Sequence, residues 1–394
     1  SEDDTIEKLL EHYDELSDHI KVETKDPDLY PKFTSQYTDQ TVAANSVIVV
    51  CGDKSKVVSN SDMWETSTNY QTYQTQTTGF DGEGQITSAI TYVTSENNPK
   101  VYWVTGHGEA SESDLSTNFS DAVNKNNVEI SDLALMTDDI PEDAEELVIM
   151  SPTTDFSEDE ANKVITYLEN GGKLLMFTSY TGTDMPNLDS ILENYGVKRS
   201  SGIVVETDSQ HYYPQMPYYL LPNIQSDDIT TEVKSNYILM PVAQAIQKLD
   251  SYRDTITIKS LLTTTEDAYI ENDPENSTWS KSADSETGAF DLGVSITETV
   301  DDKETQIIYF SSASMLSSQI DQAISGANSK LAATALTSMC DVEQTVVIPS
   351  KSTSYTNLVF TQGAVNTWSI IAIAGIPLVL VVIGVMIWMK RRKQ

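Results

Sequence analysis

The first residues that could do chemistry are Gly106-His107-Gly108-Glu109, which directly follow the apolar run KVYWVT. A histidine and a carboxylate two residues apart at the end of a strand could hold a metal ion or act as acid and base. The alternative is a polar turn without chemistry, in which the glycines permit a tight backbone. Because no second histidine is near, we predict no metal site and take His107 and Glu109 as ligand-binding candidates only.

Ser151 is the next candidate, since it follows another apolar run, ELVIM. An enzyme that forms a covalent intermediate needs its nucleophile on a sharp turn between a strand and a helix. This turn has no Gly-x-Ser-x-Gly pattern, and Pro152 removes a backbone N–H that an oxyanion hole would use. Neither Cys51 nor Cys340 lies at such a turn. We therefore predict no catalytic residue, and Ser151 stays a candidate for binding.

An aromatic segment at residues 211–222, HYYPQMPYYLLP, supplies the remaining candidates. Tyr212 and Tyr213 could stack on a sugar or a peptide. The alternative is a loop that packs over a sheet.

Two acidic pairs, Asp138-Asp139 and Asp301-Asp302, lack the ligand spacing of a known Ca²⁺ loop and are interpreted as solvated turns. GFDGEG at 79–84 lacks the lysine of a phosphate loop and is interpreted as a turn. We predict no cofactor.

Residues 369–389 form an uncharged run of sufficient length to cross a bilayer as a helix. Trp368 and Trp388 lie at its ends, and the basic residues 390–393 follow it, which is typical of the cytoplasmic side. We therefore predict one transmembrane helix at 368–389, a cytoplasmic tail at 390–394, and an extracytoplasmic location for everything before them. An exported domain needs a targeting segment, so we expect a signal or a span to precede Ser1 in the natural protein.

The chain has 24 Lys and Arg against 60 Asp and Glu, a formal net charge of −36. Such a surface repels nucleic acid, so a nucleic-acid-binding role is excluded. Apolar runs recur between the charges, which indicates a folded acidic domain and not a disordered tail. The two cysteines follow or interrupt apolar stretches, so we expect free, buried thiols, with a Cys51–Cys340 bridge as the alternative.

From Lys100 onwards, apolar strands alternate with amphipathic helices. The pattern predicts strands at 100–105, 128–133, 146–150 and 173–178, and helices at 115–126, 158–170 and 188–195. Ser157 and Glu160 form a capping box before the second helix. This alternation predicts a doubly wound α/β domain with a flavodoxin-like parallel sheet. Further on we predict a helix at 239–249, strands at 255–262, 290–297, 306–311 and 345–349, and a mostly helical segment at 320–340.

The first 62 residues show a different order of elements. We predict a helix at 5–20, a short strand at 20–23, a short helix at 33–37, and a strand at 46–51 that pairs with 56–58 as a hairpin. This order is that of the second half of a thioredoxin-like unit, although no Cys-x-x-Cys is present. A polar connector at 63–98 follows, in which 70–76 is an exposed strand or a loop and 85–94 is a helix.

Several of these segments occur together in one order: DPDLYPKF, SVIVV with its hairpin, ITSAITYV, VYWVTGHGE, SEDEANKVITYLENGGKLLMF and the terminal IPLVLVVIGVMIWMKRRK. In this order they resemble the GldG-like auxiliary component of ABC transporters. The resemblance implies an amidotransferase-like α/β domain, here residues 99–345, joined by a juxtamembrane linker at 346–367 to the membrane helix. It also implies an ABC permease and an ATPase as partners.

We therefore expect a non-catalytic, membrane-anchored auxiliary subunit that binds substrate or braces the permease. Two alternatives remain open, an extracytoplasmic hydrolase of glycan or peptide and an adhesion ectodomain.

Overall fold

The computed structural model describes residues 3–26, 29–30, 32–38, 41–69, 74–95, 98–275, 278–340, 348, 351–352 and 361–392. The predicted strand at 345–349 falls almost entirely outside these residues, as does most of the segment at 70–76.

The N-terminal part is built from two antiparallel strand pairs and two helices. Its elements are α1 (Asp4–Leu16), β1 (Val47–Cys51), β2 (Lys54–Val58), β3 (Trp64–Asn69), β4 (Gln74–Phe80) and α2 (Gly82–Thr94). β1 pairs with β2, and β3 with β4. The predicted strand at 20–23 is wrong: residues 21–26 are exposed coil, because no neighbouring strand offers hydrogen bonds there. Of the predicted helix at 33–37, a single 3₁₀ turn forms at Thr34–Gln36.

The connector contains more regular structure than its polar composition indicates. β3 and β4 lie within it, and the interpretation of GFDGEG as a plain turn is wrong, since Gly79 and Phe80 are the last residues of β4 and Gly82 begins α2. The predicted helix at 85–94 is the rest of α2. The thioredoxin-like assignment of residues 1–62 and the domain boundaries stay predictions.

The alternating segment forms the elements that position the candidate site. They are β5 (Lys100–Val104), α3 (Thr117–Lys125), β6 (Glu129–Leu133), β7 (Glu146–Met150), α4 (Glu158–Glu169), β8 (Lys173–Phe177), α5 (Pro186–Asn194) and β9 (Val197–Val205). The Ser157–Glu160 capping box starts α4 as predicted. β7 shows why these strands are continuously apolar. Its Val148 and Met150 enter one hydrophobic core and its Leu147 and Ile149 the other, so the sheet is covered on both faces.

The strands in the rest of the α/β domain are mostly antiparallel, and they form parts of two sheets. Its elements are β10 (Tyr212–Tyr213), β11 (Met216–Leu220), β12 (Asn223–Ile224), β13 (Met240–Pro241), β14 (Gln244–Lys248), β15 (Ile256–Thr263), β16 (Tyr269–Glu271), β17 (Asp291–Val300), β18 (Lys303–Phe310), α6 (Ser318–Ala323) and α7 (Ala327–Met339). The main sheet has the order β16-β9-β14-β17-β18-β8-β7-β5-β6, and β15 and β12 join it through β17.

Five neighbouring strands, β6, β5, β7, β8 and β18, are mutually parallel. Numbered by their place in the chain, they run second, first, third, fourth, fifth, which is the flavodoxin-like order of doubly wound sheets. The predicted α/β fold with a parallel sheet is therefore confirmed.

Two predictions for the second half are wrong. Residues 239–249 form β13 and β14 instead of a helix: Pro241 lacks an N–H for a helix interior, and β14 finds partners in β9 and β17. Residues 211–222 are also no loop, since β10 and β11 form an antiparallel hairpin. In both places sheet pairing, which the local sequence does not reveal, decides the backbone conformation.

Both cysteines are free, so the Cys51–Cys340 alternative does not hold. Cys51 is exposed, contrary to the prediction, because it lies where the β1–β2 hairpin turns. Cys340 is buried, and its thiol donates to Glu146 Oε2 at 3.3 Å. Glu146 is itself fully buried, and this burial raises the pKa of its carboxyl group well above the usual value.

The chain ends in one continuous helical segment. After β19 (Lys351–Ser352), which pairs with β4, come α8 (Gln362–Ile370), a π-helical stretch (Ile371–Gly375) and α9 (Ile376–Arg392). These 31 residues contain the predicted span and are, by length and composition, long and apolar enough to cross a membrane.

Candidate functional site

The site lies where the strand order of the parallel sheet reverses. β5 and β7 are neighbours, but the chain leaves β5 toward β6 on one side and returns to β7 on the other. In sheets of this kind ligands bind beyond the carboxyl ends of the two strands at this switch point. The loop at 106–109 follows β5 and Ser151 follows β7, so the two sequence motifs lie on either side of the same crevice.

Backbone hydrogen bonds join these two loops directly. The N–H groups of Thr153 and Thr154 donate to the His107 carbonyl oxygen at 2.9 and 3.1 Å, and their hydroxyl groups donate to the same oxygen at 3.2 Å each. In the other direction, Ala110 N–H donates to Met150 O at 2.9 Å. The structure therefore brings the predicted candidates His107, Glu109 and Ser151 to one edge of the sheet.

The glycines on either side of His107 are required by the backbone. Gly106 has φ of +122° and Gly108 has φ of +76°, where residues with a Cβ are strained. A Cβ on Gly108 would also collide with the side-chain hydroxyl of Thr153. The backbone of residues 106–109 is thus a tight turn that depends on its two glycines.

His107 is buried, with 5% of its surface exposed, between two carboxylates. Its Nδ1 lies 3.3 Å from Glu109 Oε1, and its Nε2 lies 3.3 Å from Glu160 Oε2. Its backbone N–H donates to Glu109 Oε2 at 2.7 Å, and its ring packs on Phe156 with centroids 4.3 Å apart. Both ring nitrogens are therefore engaged by the protein itself.

Glu160 has two structural roles. It accepts from the Ser157 backbone N–H at 2.9 Å and from the Ser157 hydroxyl at 2.7 Å, which completes the cap of α4, and it also faces His107. Burial would raise the pKa of Glu160, but the hydrogen bonds from Ser157 and His107 outweigh it and hold the pKa below its usual value. Sequence reasoning found Glu160 as a cap and missed it as a partner of His107, which only the fold brings near.

Ser151 occupies a strained turn. Its φ of +53° is unusual for a non-glycine residue, and Pro152 follows it. Its backbone N–H donates to Phe177 O at 2.8 Å and its hydroxyl to Ser179 Oγ at 2.9 Å. In the part of the chain that the structure describes, this hydroxyl thus has a serine as its partner, and the ring nitrogens of His107 face carboxylates. A nucleophile–base pair is not assembled.

The tyrosine candidates belong to a separate three-stranded sheet, formed by β10, β11 and β13. Tyr212 and Tyr213 are half-buried on β10, and Tyr213 packs against the hydrophobic core. The hairpin is tied to the end of β9, where Glu206 N–H donates to Pro217 O at 2.8 Å. No ring or hydrogen-bond contact joins either tyrosine to His107 among the described residues.

Metal binding has little support at the switch point. Within the described ranges, no group of three or more His, Cys, Asp or Glu side chains is arranged to hold a metal ion. Glu109 and Glu160 direct oxygens at His107, Ser157 and the backbone, and Glu160 Oε1 is buried without a hydrogen-bond partner among the described residues.

A family model described as an ABC-type uncharacterized transport system matches residues 98–338, more than half of the chain. The chain belongs to this family. The match spans the whole parallel sheet with both candidate loops, and membership of the ABC transport auxiliary family gives the protein a role associated with an ABC transport system. The resemblance to a GldG-like auxiliary component is confirmed by this match. A search of curated proteins gives no match.

Among solved structures, this chain is similar to the mmIFT52 N-terminal domain. The two share 15% identity, the similarity covers 61% of this chain and 96% of that chain, and the TM-score is 0.45. A ThuA-like protein from Parabacteroides merdae ATCC 43184 has 12% identity, coverage of 68% and 99%, and a TM-score of 0.34. A GMP synthase component from Thermoplasma acidophilum has 11% identity, coverage of 62% and 97%, and a TM-score of 0.31. With all TM-scores below 0.5, the fold assignment depends on the strand order itself.

Proposed function

We propose that this protein is a non-catalytic, membrane-anchored auxiliary subunit of its ABC transport system, with the α/β domain outside the cytoplasm. Its partners are an ABC permease and an ATPase, and it binds substrate or braces the permease. The observation that carries the non-catalytic part is the switch point, where both ring nitrogens of His107 face carboxylates, those of Glu109 and Glu160.

An enzyme at this place would need groups that are free to react. A general base must reach the proton that it removes, and a nucleophile must be paired with that base. Here both nitrogens of His107 face carboxylates at 3.3 Å, and the Ser151 hydroxyl donates to Ser179. Pro152 offers no N–H for an oxyanion, and the N–H of Ser151 is already bonded to a carbonyl oxygen. These contacts favour a structural role for the two candidate loops.

Anchoring is supported by the terminal helix. Trp368 and Trp388 stand near the two ends of its apolar part, where aromatic rings favour the membrane interface, and the basic residues 390–392 follow. The cationic end favours the cytoplasm, which supports a location of the acidic α/β domain on the opposite side.

Bracing is supported by the way in which this helix begins. Gly363 N–H donates to Ser209 O at 2.6 Å, and Gln215 N–H donates to Gln362 Oε1 at 2.9 Å. A Cβ at Gly363 would collide with the side chain of Gln210. The start of the helix is thus docked on the residues around the β10–β11 hairpin. A subunit that transmits force between a domain and a permease needs such a connection.

The test is complementation of a deletion strain with Ser151→Gly. Glycine removes the hydroxyl and accepts the φ of +53° without strain, so this variant separates chemistry from folding. We expect transport at the wild-type level and co-purification with the permease and the ATPase. Ser179→Ala, which removes the partner hydroxyl, is the matched control.

The hydrolase alternative is favoured by one observation, the strained φ of Ser151 at the end of a strand. This alternative predicts that the Ser151→Gly protein loses activity in the complementation assay although it still folds and still binds its partners. That result, together with an active Ser179→Ala protein, would contradict the proposal.

A further inference from the structure

A cavity that is open to solvent lies between the N-terminal part and the α/β domain, away from the switch-point loops. It has a volume of about 350 Å³ and is lined by residues of β2, α2 and α3 and by the segments at 37–38 and 127–128. Small-molecule pockets are typically about 300–1,000 Å³, so this one suits a ligand of the size of a monosaccharide. Its lining combines one ammonium group with phenols, hydroxyls and amides, among them Lys56, Tyr37, Tyr92, Ser55 and Asn127.

Lys56 is the cation of this cavity. Its Nζ donates to Asn127 Oδ1 at 2.7 Å and to Asn124 O at 3.1 Å, and it lies 5.1 Å from the centre of the Tyr92 ring. These partners are all neutral, and no carboxylate of the described residues lies within 4 Å of this nitrogen. By contrast Lys125, on the adjacent α3, pairs with Asp81 at 2.7 Å. Lys56 is thus a partly buried cation whose described partners carry no charge.

The energetics of Lys56 favour an anionic ligand. Burial lowers the pKa of this lysine to about 8, because the cation loses hydration and gains no countercharge. Two of the three ammonium N–H groups are used by Asn127 and Asn124, which leaves one donor for a ligand. An arriving carboxylate would supply the missing charge and accept from that donor.

The neighbours of Lys56 are held in place before any ligand arrives. Asn127 adopts φ of +57°, its side-chain N–H₂ donates to Ser88 O at 3.0 Å, and the Ser88 hydroxyl donates to its Oδ1 at 3.0 Å. Ser55 Oγ donates to Tyr37 O at 3.2 Å, which fixes the segment that closes one side of the cavity. A site whose polar groups are fixed in this way binds with little loss of conformational entropy.

We propose that this cavity binds a small hydroxylated monocarboxylate of the sugar-acid class, with its carboxylate on Lys56 and its hydroxyls on the phenols and amides around it. A single cation in a strongly acidic protein suits one negative charge better than the two of a phosphate monoester. The tyrosine rings provide apolar faces of the kind on which sugars stack. This binding goes beyond the transport role proposed above and does not depend on the state of the switch point.

The experiment uses the full chain in detergent with its lysines methylated with ¹³C, and follows the Lys56 NMR signal during titration. The probe is glucuronate, and glucose, acetate and inorganic phosphate are the comparisons. We expect a saturable shift with glucuronate and little shift with the other three. Lys56→Met identifies the signal and, by removing a charged hydrogen bond, should weaken binding about tenfold or more as measured by calorimetry.

Lys54→Met is the matched control, because the neighbouring Lys54 donates to Ser95 O outside the cavity. Should Lys56→Met fail to fold, the wild-type pH series serves instead: affinity should fall above pH 8, where the amine becomes neutral. The titratable groups that line the cavity with Lys56 are the phenols of Tyr37 and Tyr92. Equal shifts with acetate or phosphate, equal effects of the two lysine variants, or no saturable shift would overturn the proposal.

Discussion

Replacing His107 with alanine should lower the free energy of unfolding by more than the same replacement of a surface histidine. The variant leaves the buried carboxylates of Glu109 and Glu160 without the imidazole that lies 3.3 Å from each. Leaving a buried hydrogen-bonding group without its partner typically costs about 1–3 kcal/mol, and more when the group is charged. We expect about 3 kcal/mol, because two carboxylates lose the same partner, although Glu160 still accepts from Ser157 and Glu109 from the backbone. This is a large part of a typical unfolding free energy of about 5–15 kcal/mol.

The assay is guanidinium unfolding of the full chain in detergent, followed by near-ultraviolet circular dichroism of the α/β domain. His211→Ala is the matched control, because its side chain is 26% exposed and its Nε2 lies 3.9 Å from Asp208. That variant should cost about 1 kcal/mol or less. Equal losses for both variants, or a loss below about 1 kcal/mol for His107→Ala, would refute the buried-pair argument.

The pH dependence provides an independent check. The pKa of Glu160 is held below its usual value in the folded protein, so its interactions stabilise the fold above about pH 4.5 and are lost as the pH falls through the folded-state pKa. The difference in unfolding free energy between wild type and His107→Ala should therefore be larger above about pH 4.5 and should narrow as the pH falls below it. A difference that grows below pH 4.5 would contradict the assigned role of Glu160.

Three further outcomes are expected. Gly363→Val should uncouple the membrane helix from the domain and lower transport with the fold intact. Gly384→Val should not lower transport, because a Cβ at that position has open space. Equal transport by both variants in the complementation assay would contradict the docking of the helix start on the domain. A membrane-impermeant maleimide should label exposed Cys51 on intact cells and leave buried Cys340 unlabelled until denaturant is added, and protection of Cys51 in intact cells would contradict the proposed topology. Glu146→Gln should raise the free energy of unfolding at pH 7–8 and change it little near pH 4, since burial raises the pKa of this carboxyl group and favours its protonated form. The same denaturation assay at both pH values checks this, and an equal effect at the two pH values would contradict it.

The sequence predicts those parts of the fold that depend on local patterns. Five-residue apolar runs such as ELVIM at 146–150 became parallel strands, and the Ser157–Glu160 cap starts α4 where the motif places it. The prediction of a helix at 239–249 is wrong because β14 pairs with β9 and β17, and the local spacing of apolar residues does not reveal these distant strands.

The candidate site was predictable only in part, for a similar reason. The two glycines and the strand ends indicate where His107 and Ser151 lie, since carboxyl ends of parallel strands share an edge. The partner of His107 on α4 could not be found from the sequence, because Glu160 is 53 residues away and already explained as a cap. Lys56 belongs to no sequence motif, so it becomes a candidate for ligand binding only when the fold shows the neutral partners around it.

The strand order also determines when the domain can fold. β18 lies between β8 and β17 in the middle of the main sheet, yet 125 residues of the chain separate it from the end of β8. Until residue 310 is available, β8 has an open edge of unpaired backbone groups, and such edges invite pairing with other chains. Contacts of this sequence separation also slow folding. During synthesis, the emerging chain therefore has an extended period of exposure to aggregation and proteolysis, and fragments that end before Phe310 should not yield a stable domain.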